Sequence, residues 1–327
     1  MANMTARGRI STALAGVVLL TLGASPSSAQ SSDEGAPFLL LPVGAGASAM
    51  GRAASAMPGE ESSFWNPSGL AWLPRSRLLF IRGDVAAGRS TAVSALFARP
   101  GLGTLGVSYV LWDEGDQEYT DAFRNLLGRV SFRDHLVVIS AAAPLASGLA
   151  VGTSFKVVRS GHSCRGSCGD VGASSTGYAV DLGLQWLPLA DVPLRIGAMV
   201  AHLGPRFQLE NASQSDPLPT RVRASVAYDV LHALRRSDLK GWLAVEVEDR
   251  PGYRGGTQLY VGSELAAGNE QAFFVRVGYA GDGALPRGAR VGVGLRLDRY
   301  HLSVAKSLSA SSLDVSEPLF VSMSVGW

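Results

Sequence analysis

Cysteine occurs only twice in 327 residues, histidine five times, and charged side chains make up 17% of the chain. With a formal net charge of +2 and scattered basic residues, a nucleic-acid surface is excluded, because such a surface needs a basic stripe. Hydrophobic residues at 46% exclude a disordered chain. Beyond the N-terminus no apolar run approaches the roughly 18 residues a membrane helix needs, which excludes a helical inner-membrane protein. A sustained 3.6-residue period is missing as well, so the apolar content is not arranged in long amphipathic helices. Neither a Gly-x-Ser-x-Gly elbow nor a His-Glu-x-x-His helix occurs. His135, His162, His202, His232 and His301 are dispersed without metal-ligand spacing. No enzyme, metal centre or cofactor is therefore expected. The glycines of Gly44–Gly51 follow no strand and open no nucleotide-binding unit, so they do not make a phosphate loop.

What the chain does contain begins with an export signature. Arg7 and Arg9 precede an apolar stretch from Thr12 to Gly23, and Ser27-Ser28-Ala29 supplies the small residues of a cleavage site. Residues 1–29 read as a signal peptide and Gln30 as the first mature residue. No cysteine follows the apolar stretch, which argues against a lipid anchor. The two cysteines, Cys164 and Cys168, fall in a polar, loop-like segment. In an exported protein a local disulfide is the simple reading. The alternative, a metal held by both thiolates and His162, needs a fourth ligand that the sequence does not identify.

From Arg77 onward, short alternating segments are separated by Gly, Pro, Asp and Ser clusters. In Arg290–Leu297 the odd positions are branched and apolar while the even ones are arginine and glycine. Strands are expected at 77–84, 91–99, 103–112, 133–143, 148–158, 177–187, 193–203, 220–231, 241–249, 256–265, 271–280, 288–297, 299–307 and 318–327. Fourteen strands, an even number of about ten residues each, satisfy the requirement that a single-chain membrane barrel close on itself and leave no edge in lipid. The chain ends on Trp327, as outer-membrane barrels typically do. A soluble sandwich also alternates, but its wet face carries more charge than this composition provides. The expected fold is thus all-β, a transmembrane antiparallel barrel over 77–327 in the bacterial outer membrane, surrounded by outer-membrane lipid.

Long connections at 113–132, 159–176, 204–219 and 308–317 fall on one side and short ones on the other, with 232–240 the exception. Trp112, Tyr178, Trp186, Trp242, Tyr260, Tyr279, Tyr300 and Trp327 lie toward strand ends, where amphipathic rings suit a membrane interface. Alternation points Lys156, Asp181, Arg195, Arg221, Arg223, Asp229, Glu246, Glu248, Glu264, Arg276, Arg290 and Arg296 inward. Mixed signs there predict internal ion pairs that hold a plug. That plug is expected at residues 30–76, too long for a tail and too irregular for strands, and it would obstruct a diffusion porin.

Within this segment Phe38-Leu39-Leu40-Leu41-Pro42-Val43-Gly44-Ala45-Gly46-Ala47-Ser48-Ala49-Met50-Gly51-Arg52-Ala53 and Phe64-Trp65-Asn66-Pro67-Ser68-Gly69-Leu70-Ala71 resemble the N-terminal signature of the PorV/PorQ family. That family belongs to the barrels similar to the FadL long-chain fatty-acid transporter. Between the two blocks, Met57-Pro58-Gly59-Glu60-Glu61 keeps the family's acidic loop in shortened form. The resemblance implies one of two functions. A hydrophobic small molecule binds near the N-terminal segment, with Phe38, Leu40, Phe64, Trp65, Asn66 and Pro67 as candidate contacts and Leu39 and Trp72 as further apolar material. Alternatively, the outer loops bind secreted proteins or the type IX secretion machinery. Asn66 and Pro67 also read as a turn, since Asn bonds its own backbone and Pro fixes the next dihedral.

Overall fold

The computed structural model describes residues 34–85, 88–168, 173–188, 192–208, 215–236, 238–252, 256–269, 271–281, 288–308 and 318–327. Residues 1–29, read above as an export signal, lie outside them. Among the described residues sixteen strands follow one another: β1 (Arg77–Val85), β2 (Gly88–Arg99), β3 (Gly103–Thr120), β4 (Leu126–Ala146), β5 (Leu149–Gly166), β6 (Ala173–Trp186), β7 (Leu194–Leu203), β8 (Phe207–Gln208), β9 (Ser215–Asp216), β10 (Arg221–Asp229), β11 (Leu239–Asp249), β12 (Gln258–Ala267), β13 (Gln271–Ala280), β14 (Gly288–Leu297), β15 (Tyr300–Ser307) and β16 (Leu319–Gly326). Fourteen of them form a closed antiparallel barrel in which each strand pairs with its sequence neighbours and β16 returns to β1. The two short strands β8 and β9 pair with each other in the connection from β7 to β10.

Alternation decides the two faces. Leu78 and Phe80 in β1, Val245 and Val247 in β11 and Val293 and Leu295 in β14 are exposed on the outside, while Leu79, Ile81, Glu246 and Arg290 are buried inside. An apolar outer surface of this extent suits lipid and would be a liability in water. Among the described residues no helix is long and apolar enough to cross a membrane, so the strands make the crossing. The molecule is an outer-membrane barrel.

Each of the fourteen expected strands is present, but three are much longer than their apolar pattern. β3, β4 and β5 continue through what the sequence suggested were the loops 113–132 and 159–176. They form a tall wall on one side of the outer rim. Above the bilayer both faces of a strand are wet, so Asp113, Glu114, Asp116, Gln117 and Glu118 alternate nothing that a polarity pattern can register. Parity also corrects the aromatic assignment. Tyr178, Trp186, Tyr279, Tyr300 and Trp327 face outward, but Trp112, Trp242 and Tyr260 share the parity of the lumen and are buried.

Residues 34–76 fold inside the barrel as a chain of short turns: a 3₁₀ turn at Pro37–Leu40, α1 (Ala45–Ala49), α2 (Ser62–Trp65) and a second 3₁₀ segment at Pro67–Trp72. The last of these begins as its sequence suggests. Asn66 caps it by accepting from the Ser68 amide at 3.2 Å, and Pro67 takes the first position, where its missing N–H costs nothing. Glu61 accepts from the Gly46 and Ala47 amides of α1 and from the Ser322 hydroxyl of β16, pinning the helix to the wall. Glu60 meets Arg77 at 3.2 Å and His301 at 2.9 Å, a second tie, between the plug and strands β1 and β15.

Candidate functional site

Two kinds of contact hold the plug. At Met50–Gly51, Ser55–Ala56 and Pro67–Ser68 its backbone lies directly on inward-facing glycines of the wall, the last pair on Gly152. A Cβ on Gly262 would overlap the Met50 carbonyl, one on Gly278 the Gly51 amide nitrogen, one on Gly197 the Ser55 carbonyl, and one on Gly183 the Asn66 side-chain oxygen. Only a residue without a side chain permits this approach. Asn66 is 1% exposed, and its amide donates to the carbonyls of Ser55 at 2.8 Å and Leu184 at 3.1 Å.

The second kind of contact is ionic and lies toward the outer end. Arg223 of β10 meets Glu248 of β11 at 2.6 Å, with both side chains 5% exposed, and Arg52 of the plug approaches the same carboxylate at 3.8 Å. Arg221 grips Glu34 through two nitrogens, at 2.8 and 2.9 Å, and Arg250 adds a contact to Glu34 at 2.7 Å. Glu246 is capped by plug donors, the amides of Ala54 and Ser55 and the Ser55 hydroxyl. The Arg52 guanidinium also sits against the rings of Trp65 and Tyr260, 5.7 and 5.0 Å from their centroids. Of the inward charges, Arg290 and Arg296 form no ion pair among the described residues; Arg296 instead donates to the Asn269 carbonyl.

Between these contacts is a cavity. Its volume is about 20 Å³, room for about one water molecule. Leu39, Leu40, Leu41, Val43, Phe64 and Trp65 of the plug face Trp112 and Leu136 of the wall across it, and Arg52, Lys156, His202 and Arg223 supply a polar rim. The polar side is locked. Lys156 lies 2.5 Å from Asp181, whose other oxygen accepts the His202 backbone N–H, and His202 adopts a left-handed φ of 59° at the irregularity between β6 and β7. Beside the cavity Phe207 of β8 and Leu218 join Phe38, Trp112 and Val158 in one buried cluster.

Of the residues proposed from sequence, the structure brings Leu40, Phe64 and Trp65 to the cavity. Phe38 stands behind them, packed on Trp112 with ring centroids 5.2 Å apart. Asn66 and Pro67 lie elsewhere, against Gly183 and Gly152, where they hold the plug to β5 and β6. Trp112 and Leu136 were not singled out as contacts; their inward parity alone could have flagged them. Arg52 gave no signal, because its partners lie some two hundred positions away in the chain.

Cys164 and Cys168 form a disulfide at the top of β5, and among the described residues no group of three or more ligating side chains could hold a metal. The histidines are spread apart: His135 bonds Tyr109 on the outer surface, His162 packs on Phe132, His202 and His301 tie to carboxylates, and His232 lies in a 3₁₀ turn at the opposite end.

No family profile and no curated protein matches the chain, so the PorV/PorQ resemblance rests on the quoted motif alone. Solved structures do match. The Pseudomonas putida toluene transporter TodX superposes with a TM-score of 0.58 at 13% identity, over 88% of this chain and 99% of that one. The CymD monoaromatic hydrocarbon channel gives 0.57 at 14%, over 88% and 98%. A Pseudomonas aeruginosa FadL homologue gives 0.52 at 10%, over 87% and 98%. At these identities the likeness is one of fold: a fourteen-stranded outer-membrane barrel of the kind seen in FadL homologues.

Proposed function

We propose that the chain is a non-enzymatic outer-membrane transporter that receives a hydrophobic small molecule in the cavity between the plug and the wall. The observation that carries this reading is the meeting of Leu40, Phe64 and Trp65 with Trp112 and Leu136 inside a closed barrel. Solved barrels of the same fold include a toluene transporter and a monoaromatic hydrocarbon channel, which supports a ligand of that class. In this reading Leu40, Phe64 and Trp65 contact the ligand and Phe38 supports Trp112, while Asn66 and Pro67 keep the plug in place. The water-sized free space requires side chains to move aside, and the half-buried Leu40, Leu41 and Phe64 are the ones free to do so. Among the described residues the dispersed histidines and carboxylates form no catalytic constellation.

Toluene binding to the purified barrel, followed by calorimetry, tests the proposal. Trp112→Ala should change the affinity by roughly tenfold or more, the equivalent of a buried aromatic contact. A barrel that retains no lipid on purification and binds no apolar probe would sink it. Copurification of secreted proteins or secretion-machinery subunits would move the assignment to the attachment role implied by the PorV/PorQ resemblance.

A further inference from the structure

The outward face of β4 and β5 changes character above the lipid belt. Below, it carries Ile139 and Phe155, both exposed and apolar, and the Phe155 ring stacks on Tyr178 of β6. Above, the same parity gives His135, Arg133 and Arg129 on β4 and Arg159 and Arg165 on β5. These side chains therefore point sideways over the bilayer rather than up into solvent or into the lumen.

Two observations set this strip apart from an ordinary solvated rim. The ladder places Arg129 directly opposite Arg165 and His135 opposite Arg159. The opposed guanidiniums of Arg129 and Arg165 are like charges directly across the ladder and therefore destabilising, and an anion between them would relieve that. Moreover, among the described residues Arg129, Arg159 and Arg165 have no ion pair. The nearby carboxylates of β3 are only partly matched to them: Asp113 pairs with Arg133 at 3.5 Å, Asp116 accepts from Ser131 and feels the charges of Arg133, Arg165 and Arg129 without forming an ion pair, and Glu118 faces Arg129 in the ladder without closing a bridge. On the other flank Arg159 opposes only Thr176 of β6. The corresponding outer ends of β12, β13 and β16 present Leu259, Tyr279 and Leu319 instead.

We propose that this strip binds the phosphate groups of glycolipid in the outer leaflet. Guanidinium forks match phosphate oxygens in geometry and charge. Continuity with the lipid-facing surface below selects a membrane-resident anion over a soluble one. The strip lies outside the lumen, so it is independent of the transport reading.

The test uses the full-length barrel in neutral detergent containing EDTA, which removes bridging divalent cations. Native mass spectrometry compares retention of bisphosphorylated lipid A with that of the same lipid stripped of phosphate. Preferential retention of the phosphorylated lipid by the wild type is expected. R129Q/R165Q should weaken that retention by at least about fivefold, from the usual strength of an arginine near an anionic surface, whereas R299Q at the opposite end should not. Equal retention of the two lipids by the wild type overturns the proposal whether or not the double variant folds. Undiminished retention by a folded R129Q/R165Q barrel overturns it too, as does displacement of the lipid by millimolar inorganic phosphate.

Discussion

The plug meets the wall in two ways within a few residues of its own chain. Met50–Gly51, Ser55–Ala56 and Pro67–Ser68 rest backbone to backbone on glycines; Leu39–Val43 and Phe64–Trp65 meet the wall through Trp112, Leu136 and a cationic rim, with a cavity between. Backbone on glycine has no rotamer to change, so that contact is rigid by construction. Side chain on side chain can repack, so the adaptable surface is confined to one flank. A barrel filled by its own N-terminal segment can thus keep an internal cavity without releasing the plug.

Filling one glycine seat is the most severe way to break this contrast. Gly278→Val puts its Cβ into the Gly51 backbone, which has no side chain to swing away, and should cost more than about 4 kcal/mol. On an unheated gel the folded, fast-migrating band should disappear. Next comes Glu248→Ala, which strands Arg223 and Arg52 in the lumen at a cost of about 3–5 kcal/mol. A lower thermal midpoint with the barrel still closed is the expected result, and an unchanged midpoint would show that water reaches these arginines.

A smaller effect concerns the Glu60 clamp. Burial pushes its carboxyl up, but the bond to His301 and the charges of His301 and Arg77 outweigh that and leave it below the ordinary glutamate range. A lowered carboxylate contributes stability that is complete above the ordinary value and is lost as pH falls through the lowered one. The heat resistance of the wild type should therefore decline in acid more steeply than that of Glu60→Gln. The smallest effect belongs to Arg236 and Asp238, 2.6 Å apart like Arg223 and Glu248 but 61% and 48% exposed. Asp238→Asn should leave the thermal midpoint unchanged, since water and salt already screen that pair.

The barrel was legible in sequence wherever one strand face met lipid, since lipid enforces apolar residues at every second position. Where lipid stops, so does the signal, which is why the upper halves of β3, β4 and β5 read as loops. The inward charges were legible by the same parity, Lys156, Asp181, Arg223 and Glu248 among them. Their pairings were not, because Arg52 joins Glu248 only after nine barrel strands have been laid side by side. Asn66 and Pro67 show the remaining ambiguity: a short motif marks a turn reliably, but a turn that binds a ligand and one that seats a plug use the same residues.

The glycine seats also bear on how the barrel assembles. A strand displaced by one residue turns its inward set outward, so in β13 Val277 or Tyr279 would take the place of Gly278 against Gly51. The plug backbone against Gly262 and Gly278 fits one register of β12 and β13. It therefore acts as a gauge for these strands: only the correct register lets them close around it.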